Sequence, residues 1–249
     1  MCGRFGVKTT FSTLAKLLRA EPIEDHDWGP DFNIAPTDPA PVLLLDEAGA
    51  PRLDLFRWGL VPFWADDPKV GSRMINARAD TVADKPAFRE SFATRRLAVP
   101  ASGWFEWKAA PALATGDAKK PQPYWFHRPA GGDGDDGEPL LFAGLWARWR
   151  DKTSGETRKT FAIVTTEATD ATGFVHDRMP VILPPEARDA WLDPATPRPV
   201  LEALLVPYRG PLAADAVSKA VNSVKADGPE LIAPIESAGV AAGKQRTLL

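Results

Sequence analysis

One cysteine, Cys2, and three histidines are all the chain offers of the residues that build disulfides and most zinc sites. A lone thiol excludes an intramolecular disulfide framework and points to a reducing, cytoplasmic setting. The histidines are scattered without ligand spacing, so no metal is expected. No apolar run approaches the ~18 residues of a membrane span, and no basic-then-apolar leader opens the chain. Phosphate-binding glycine loops, dinucleotide fingerprints and nucleophile elbows are also missing, and no cofactor is expected. Basic charge is not in excess either: 30 Lys and Arg face 33 Asp and Glu, for a net charge of −3. Any nucleic-acid surface must then be a local basic groove. With no internal repeat and no linker, residues 1–249 read as a single domain, expected to be monomeric.

What is present is ordinary for a globular chain of 249 residues: 44% hydrophobic and 25% charged. Nine tryptophans and 25 prolines favour short strands and structured loops. After an N-terminal strand, Thr10 or Ser12 caps a short helix with Phe11, Leu14, Leu17 and Leu18 on one face. Asp31 to Thr37 reads as a turn, because Pro36 disfavours helix at Ala35. Strands are expected over 41–45, 53–60, 95–99, 103–108, 140–150 and 160–166, with a hairpin turn at Gly49. Short helices are expected near 86–92, 186–192 and 200–205. Residues 109–123 and 129–139 read as surface insertions, and 235–249 as a flexible tail. The fold class is α+β, with a large mainly antiparallel sheet or barrel-like core and a few flanking helices.

The chemistry begins at Cys2. Loss of Met1 would leave an α-amine and a thiol on one residue, a 1,2-aminothiol, which captures aldehydes as an imine and then as a thiazolidine ring. The amine has an unperturbed pKa of about 7.7–8.0. The thiol, near 8.5, is lowered by neighbouring positive charge such as Arg4, which shares its side of an extended strand. Against this stands the commoner fate of a lone cysteine as a buried hydrophobe.

Three further groups are candidates. Glu106 lies among aromatics in Gly103-Trp104-Phe105-Glu106-Trp107-Lys108, where desolvation raises a carboxyl pKa and suits it to acid–base work; the plainer alternative pairs it with Lys108. His176, in Phe174-Val175-His176-Asp177-Arg178-Met179-Pro180, is a proton shuttle or a structural histidine. Asn76 and Arg78, two apart on an extended segment, can present an amide and a guanidinium on one face. Phe63 and Trp64 put two large aromatics in a loop, where contacts with a ligand or simple packing are both open.

Seven short pieces in order closely resemble the SOS-response-associated peptidase (SRAP) family, whose members process abasic sites in single-stranded DNA. They are Met1-Cys2-Gly3-Arg4-Phe5, Asn33-Ile34-Ala35-Pro36-Thr37, Arg57-Trp58-Gly59-Leu60-Val61-Pro62, Asn76-Ala77-Arg78-Ala79-Asp80, Gly103-Trp104-Phe105-Glu106-Trp107, Ala143-Gly144-Leu145-Trp146 and His176-Asp177-Arg178-Met179-Pro180. The resemblance implies an enzyme whose Cys2 crosslinks to the ring-opened abasic sugar, with Asn76 positioning it, Glu106 moving protons and His176 assisting ring opening. It implies that Arg4, Arg78 and Arg178 bind phosphates, and that Asn33, Pro36, Trp58, Phe63 and Trp64 contact the DNA strand. Two positions depart from the family: Trp104-Phe105 stands where Phe-Tyr is common, losing a hydroxyl, and Asp80 where Glu is common. Two rival readings remain: an N-terminal-nucleophile hydrolase using Cys2 on an amide, and a passive single-strand binder in which Cys2 is dispensable.

Overall fold

The computed structural model describes residues 2–112, 115–129 and 137–235. In chain order the strands are β1 (Phe5–Val7), β2 (Glu21–Pro22), β3 (Asp31–Ile34), β4 (Pro39–Leu45), β5 (Pro51–Trp58), β6 (Asn76–Arg78) and β7 (Arg96–Ala101). There follow β8 (Gly103–Lys108), β9 (Gln122–His127), β10 (Leu140–Arg150), β11 (Thr157–Glu167), β12 (Arg178–Pro180), β13 (Ile182–Leu183) and β14 (Ala213–Ala216). The helices are α1 (Phe11–Leu18), α2 (Arg89–Thr94), α3 (Asp170–Gly173), α4 (Pro185–Leu192) and α5 (Arg198–Ala203).

Five strands close on themselves: β5–β4–β7–β10–β11 run as neighbours, and β11 returns to β5 through a parallel pairing at Phe161 and Trp58. A second sheet, ordered β14-β9-β8-β1-β3, carries the N-terminal strand between β3 and β8. Pairing is antiparallel throughout except where β2 meets β5 and where β11 meets β5 and β6. The expected mixed architecture with a mainly antiparallel, barrel-like core is what the chain adopts.

Large aromatics weld the two sheets. Phe5 meets Trp58 edge-on at 5.1 Å, Trp104 stacks on Phe126 at 5.0 Å, and Phe142 closes on both Phe5 and Trp104. All five rings are fully buried, and each such side chain contributes about 1.5–3 kcal/mol of transfer free energy. The motif around Trp58 is fixed by backbone contact. Gly59 has φ +120°, and a Cβ there would meet the Gly71 carbonyl oxygen at 2.7 Å, while one on Gly71 would meet the Gly59 carbonyl oxygen at 2.5 Å. Only glycine lets the two chains touch there.

A buried cation ties the helices to the barrel. Arg96 donates to the carbonyls of Phe92 and Ala93 at the end of α2 and to those of Trp191 and Asp193 at the end of α4, all within 2.5–2.7 Å. The Asp193 carbonyl also accepts the Thr196 N–H; carbonyls in the last turn of a helix otherwise lack an intrahelical donor.

Several boundaries differ from the sequence reading. Thr10 does cap α1, but Ala15 is buried in its face and Leu17 only half-buried. The turn at 31–37 begins as strand β3, and the turn itself falls at Thr37, at φ 82°. The helix expected near 86–92 occupies Arg89–Thr94. The insertion expected at 109–123 ends sooner, because Gln122 and Pro123 already belong to β9. Residues 236–249 of the expected tail, and 130–136 of the second insertion, lie outside the described residues.

Candidate active site

β1 and β6 bring the first candidates together. The register Phe5↔Trp104 and Gly6↔Gly103 sets β1 beside β8, the strand that carries Glu106. On the other side Asn76 starts β6, held beside Ile163 of β11. Its Nδ2 donates to the Cys2 carbonyl at 2.7 Å. Its Oδ1 is buried and has no hydrogen-bond partner among the described residues.

Cys2 is fully buried and belongs to the main core, as do Phe5 and Trp104. Burial pushes its thiol well up, and the nearby Glu106 charge pushes it further. This reverses the expectation that Arg4 would lower it. Strand geometry starts only at Phe5, so Arg4 does not share a side with Cys2. The Arg4 guanidinium turns to the opposite face, over the Trp107 ring at 5.9 Å. There it donates to Asn33 Oδ1 at 2.7 Å and to the Val221 carbonyl at 2.9 Å. Asn33 Nδ2 in turn donates to the carbonyls of Ser223 and Ala226. Both side chains are buried and engaged within the protein, tying β1 and β3 to the segment 221–226.

Glu106 is also buried, and burial raises its carboxyl to about 7, opposed by the amino-terminal positive charge. Lys108, the alternative partner, instead holds its ammonium over Phe174 at 5.2 Å. Of the Trp104-Phe105 departure, Phe105 faces the second core with Trp125 and Val221, on the side away from Glu106, whereas Trp104 belongs to the main core with Cys2.

His176 Nδ1 accepts the Arg178 backbone N–H at 3.0 Å and lies 2.8 Å from the Asp177 carboxylate. Burial lowers the imidazole pKa, followed by the amino-terminal charge, so the neutral form is favoured near pH 7.

The arginines of the site flank β11. Arg78 pairs with Thr165 across β6, and Arg178 with Glu167 across β12. Asp80 holds Arg78 through two bonds, at 3.1 and 2.5 Å, so the shorter carboxylate still supports it. Arg178 donates to the Thr165 carbonyl and hydroxyl. Burial and then the Arg78 charge lower its pKa; two guanidiniums this close favour an anion between them. Both open onto a cleft of about 700 Å³ that Glu167, Asp170 and Asp177 also line. This cleft is therefore of mixed charge.

The remaining candidates divide by exposure. Trp58 is fully buried, stacked on Phe161, with its indole N–H donated to the Ile75 carbonyl, so it offers no face to a DNA base. Phe63 and Trp64 are 58% and 49% exposed. Pro36 is half-buried ahead of the Thr37 turn. Two rings that the sequence did not single out, Tyr124 and Phe174, also border the site. Tyr124 sits on a strand hidden in a proline-rich stretch, and only its place across from Glu106 marks it. Among the described residues no group of His, Cys, Asp and Glu could hold a metal, and no helix is long and apolar enough to cross a membrane.

Comparison with known proteins gives a consistent picture. The family profile described as SOS response associated peptidase (SRAP) matches residues 1–224. The abasic site processing protein YoqW of Bacillus subtilis is 34% identical over 235 residues, covering 93% of this chain and 99% of that protein. The abasic site processing protein YedK of Escherichia coli is 32% identical, covering 94% and 100%. Among solved structures, a Bacteroides thetaiotaomicron protein superposes with a TM-score of 0.76 at 25% identity, covering 94% of this chain and all of that one. A phage-related protein from Bordetella bronchiseptica gives 0.63 at 34% identity, covering 88% and 95%.

Proposed function

The chain belongs to the SOS response associated peptidase family, and on that premise we propose that it processes abasic sites in single-stranded DNA by covalent capture through Cys2. With Met1 removed, the Cys2 amine attacks the aldehyde of the ring-opened sugar, and water leaves to give an imine. The thiol then adds to the imine carbon. A carbon–sulfur bond forms, the thiol proton passes to nitrogen, and a thiazolidine closes with one water released overall.

The residues divide this work by their chemistry. Asn76, bonded to the Cys2 carbonyl, orients the attacking residue. Because burial keeps the Cys2 sulfur protonated, ring closure needs a base beside it. Glu106, with a carboxyl near 7, takes a proton at one step and returns it at another. His176 acts as a proton donor toward the sugar oxygen as the ring opens. Arg78 and Arg178 hold phosphates flanking the sugar.

The observation that carries this reading is the Asn76–Cys2 bond beside a buried carboxyl poised near neutrality. It is tested by mixing Met1-processed protein with a single-stranded oligonucleotide bearing one abasic site, followed by a denaturing gel. A shifted band that needs both Cys2 and the abasic site is expected. A free Cys2 terminus, verified by mass spectrometry, with no band would overturn the proposal in favour of an N-terminal hydrolase.

A further inference from the structure

Beside Glu106 and His176 stands a pair of rings to which this chemistry gives no part. Tyr124 on β9 lies directly across from Glu106 on β8, which puts the two side chains on one face. Phe174, just after α3 and two residues before His176, meets Tyr124 edge-on at 5.4 Å and Phe126 at 6.2 Å. These contacts brace Phe174 from within. It is nonetheless 45% exposed, and it walls the same cleft onto which Arg78 and Arg178 open.

A single exposed phenylalanine needs no explanation. This one combines a braced ring, an ammonium over its face and two guanidiniums in its cleft. Such a surface matches a nucleotide, with a flat apolar base joined to an anionic phosphate. We propose that Phe174, braced by Tyr124, is the stacking platform for the nucleobase adjoining the abasic nucleotide in a bound single strand. The inference deepens the function proposed above and rests on it.

Charge and geometry make this role useful. Glu167, Asp170 and Asp177 line the cleft and Asp80 already pairs with Arg78, so phosphate attraction is partly cancelled. Stacking, which salt and neighbouring carboxylates barely affect, supplies the hold that charge does not. An abasic sugar has no base of its own, so the adjoining base is the nearest flat surface the protein can grip. The exposed Lys108 side chain leaves the ring face when a base arrives and turns its ammonium to a phosphate.

The test uses the full chain and an oligonucleotide carrying a tetrahydrofuran abasic analogue, which has no aldehyde, next to 2-aminopurine. Binding by the unaltered protein should quench the 2-aminopurine. Phe174→Ala should remove the quench and weaken binding on the order of tenfold, while Phe174→Trp keeps both. Phe174→Leu, apolar but without a π face, should bind as weakly as the alanine variant while keeping the native melting temperature. A strand lacking the adjoining bases should bind the unaltered protein and Phe174→Ala equally. Retained quenching and affinity in Phe174→Ala would overturn the platform alone. Failure of the unaltered protein to bind the strand at all would overturn both the platform and the proposed function.

Discussion

Asn76 spends its amide nitrogen on the Cys2 carbonyl, 2.7 Å away, and keeps its buried amide oxygen without a partner among the described residues. A buried acceptor left open is costly, by about 1–3 kcal/mol. Within the proposed function, that oxygen is the natural acceptor for an N–H of the Cys2 amine or for a sugar hydroxyl. One side chain then fixes the attacking residue at its carbonyl and receives a hydrogen bond from the reacting end.

Asn76→Ala should lower the crosslinking rate by about 10- to 100-fold through lost positioning. Asn76→Asp keeps an acceptor and loses the donor, so it should recover part of that loss at most. Both variants should stay within about 1.5 kcal/mol of native stability. Single-turnover gels alongside urea melts check this; native rates in the alanine variant would remove Asn76 from the reaction.

Glu106 predicts a pH signature. Its carboxyl rises from 4.5 to about 7 on folding, with burial the main cause, so the folded state keeps a proton that the unfolded chain releases. The stability this provides is whole below pH 4.5 and is lost as pH rises through 7, by roughly 3 kcal/mol in all. Glu106→Gln should therefore melt higher than the native protein at pH 8, with the gain vanishing toward pH 4.5. The same variant should lose the acid limb near pH 7 from its crosslinking profile. A melting difference that does not change with pH would show the carboxyl to be unperturbed.

The fold and the site were legible to different depths, and locality explains the difference. Thr10 capping α1 depends on near neighbours, so it can be read from the chain. The pairing of Asn76 and Arg78 on one face follows from a two-residue period. The surroundings of Trp58 and Arg4 are not legible in the chain because they come from distant segments: Phe161 stacks on the first, and Val221 accepts from the second. Gly3 hid the change of side between Cys2 and Arg4, since an extended reading assumes a strand that begins only at Phe5. Tyr124 is hard to place from the chain because Pro121 and Pro123 make the start of β9 resemble a loop.

Arg96 supplies a stability prediction independent of the site. Its guanidinium is buried and serves four carbonyls at the ends of α2 and α4. Arg96→Met strands those acceptors and should cost about 3–5 kcal/mol. Arg96→Lys, with three donors on one atom, cannot span them and should recover less than half. Chemical denaturation gives the values, and crosslinking per folded molecule should be unchanged.

Arg78 and Arg178 differ in a way that salt can resolve. Among the described residues Arg78 is exposed and paired only with Asp80, whereas Arg178 donates to the backbone and hydroxyl of Thr165. Each phosphate contact on a single strand contributes about 0.7 to the slope of log affinity against log salt. Arg78→Gln should reduce that slope by about 0.7 with little change in melting temperature. Arg178→Gln should reduce it by a similar amount and also lower the melting temperature, because the Thr165 bonds go with it. The aldehyde-free strand isolates this binding from covalent capture. Loss of affinity with an unchanged slope would mean that these guanidiniums shape the cleft and do not touch phosphate, and the strand would have to run elsewhere, past Phe63 and Trp64.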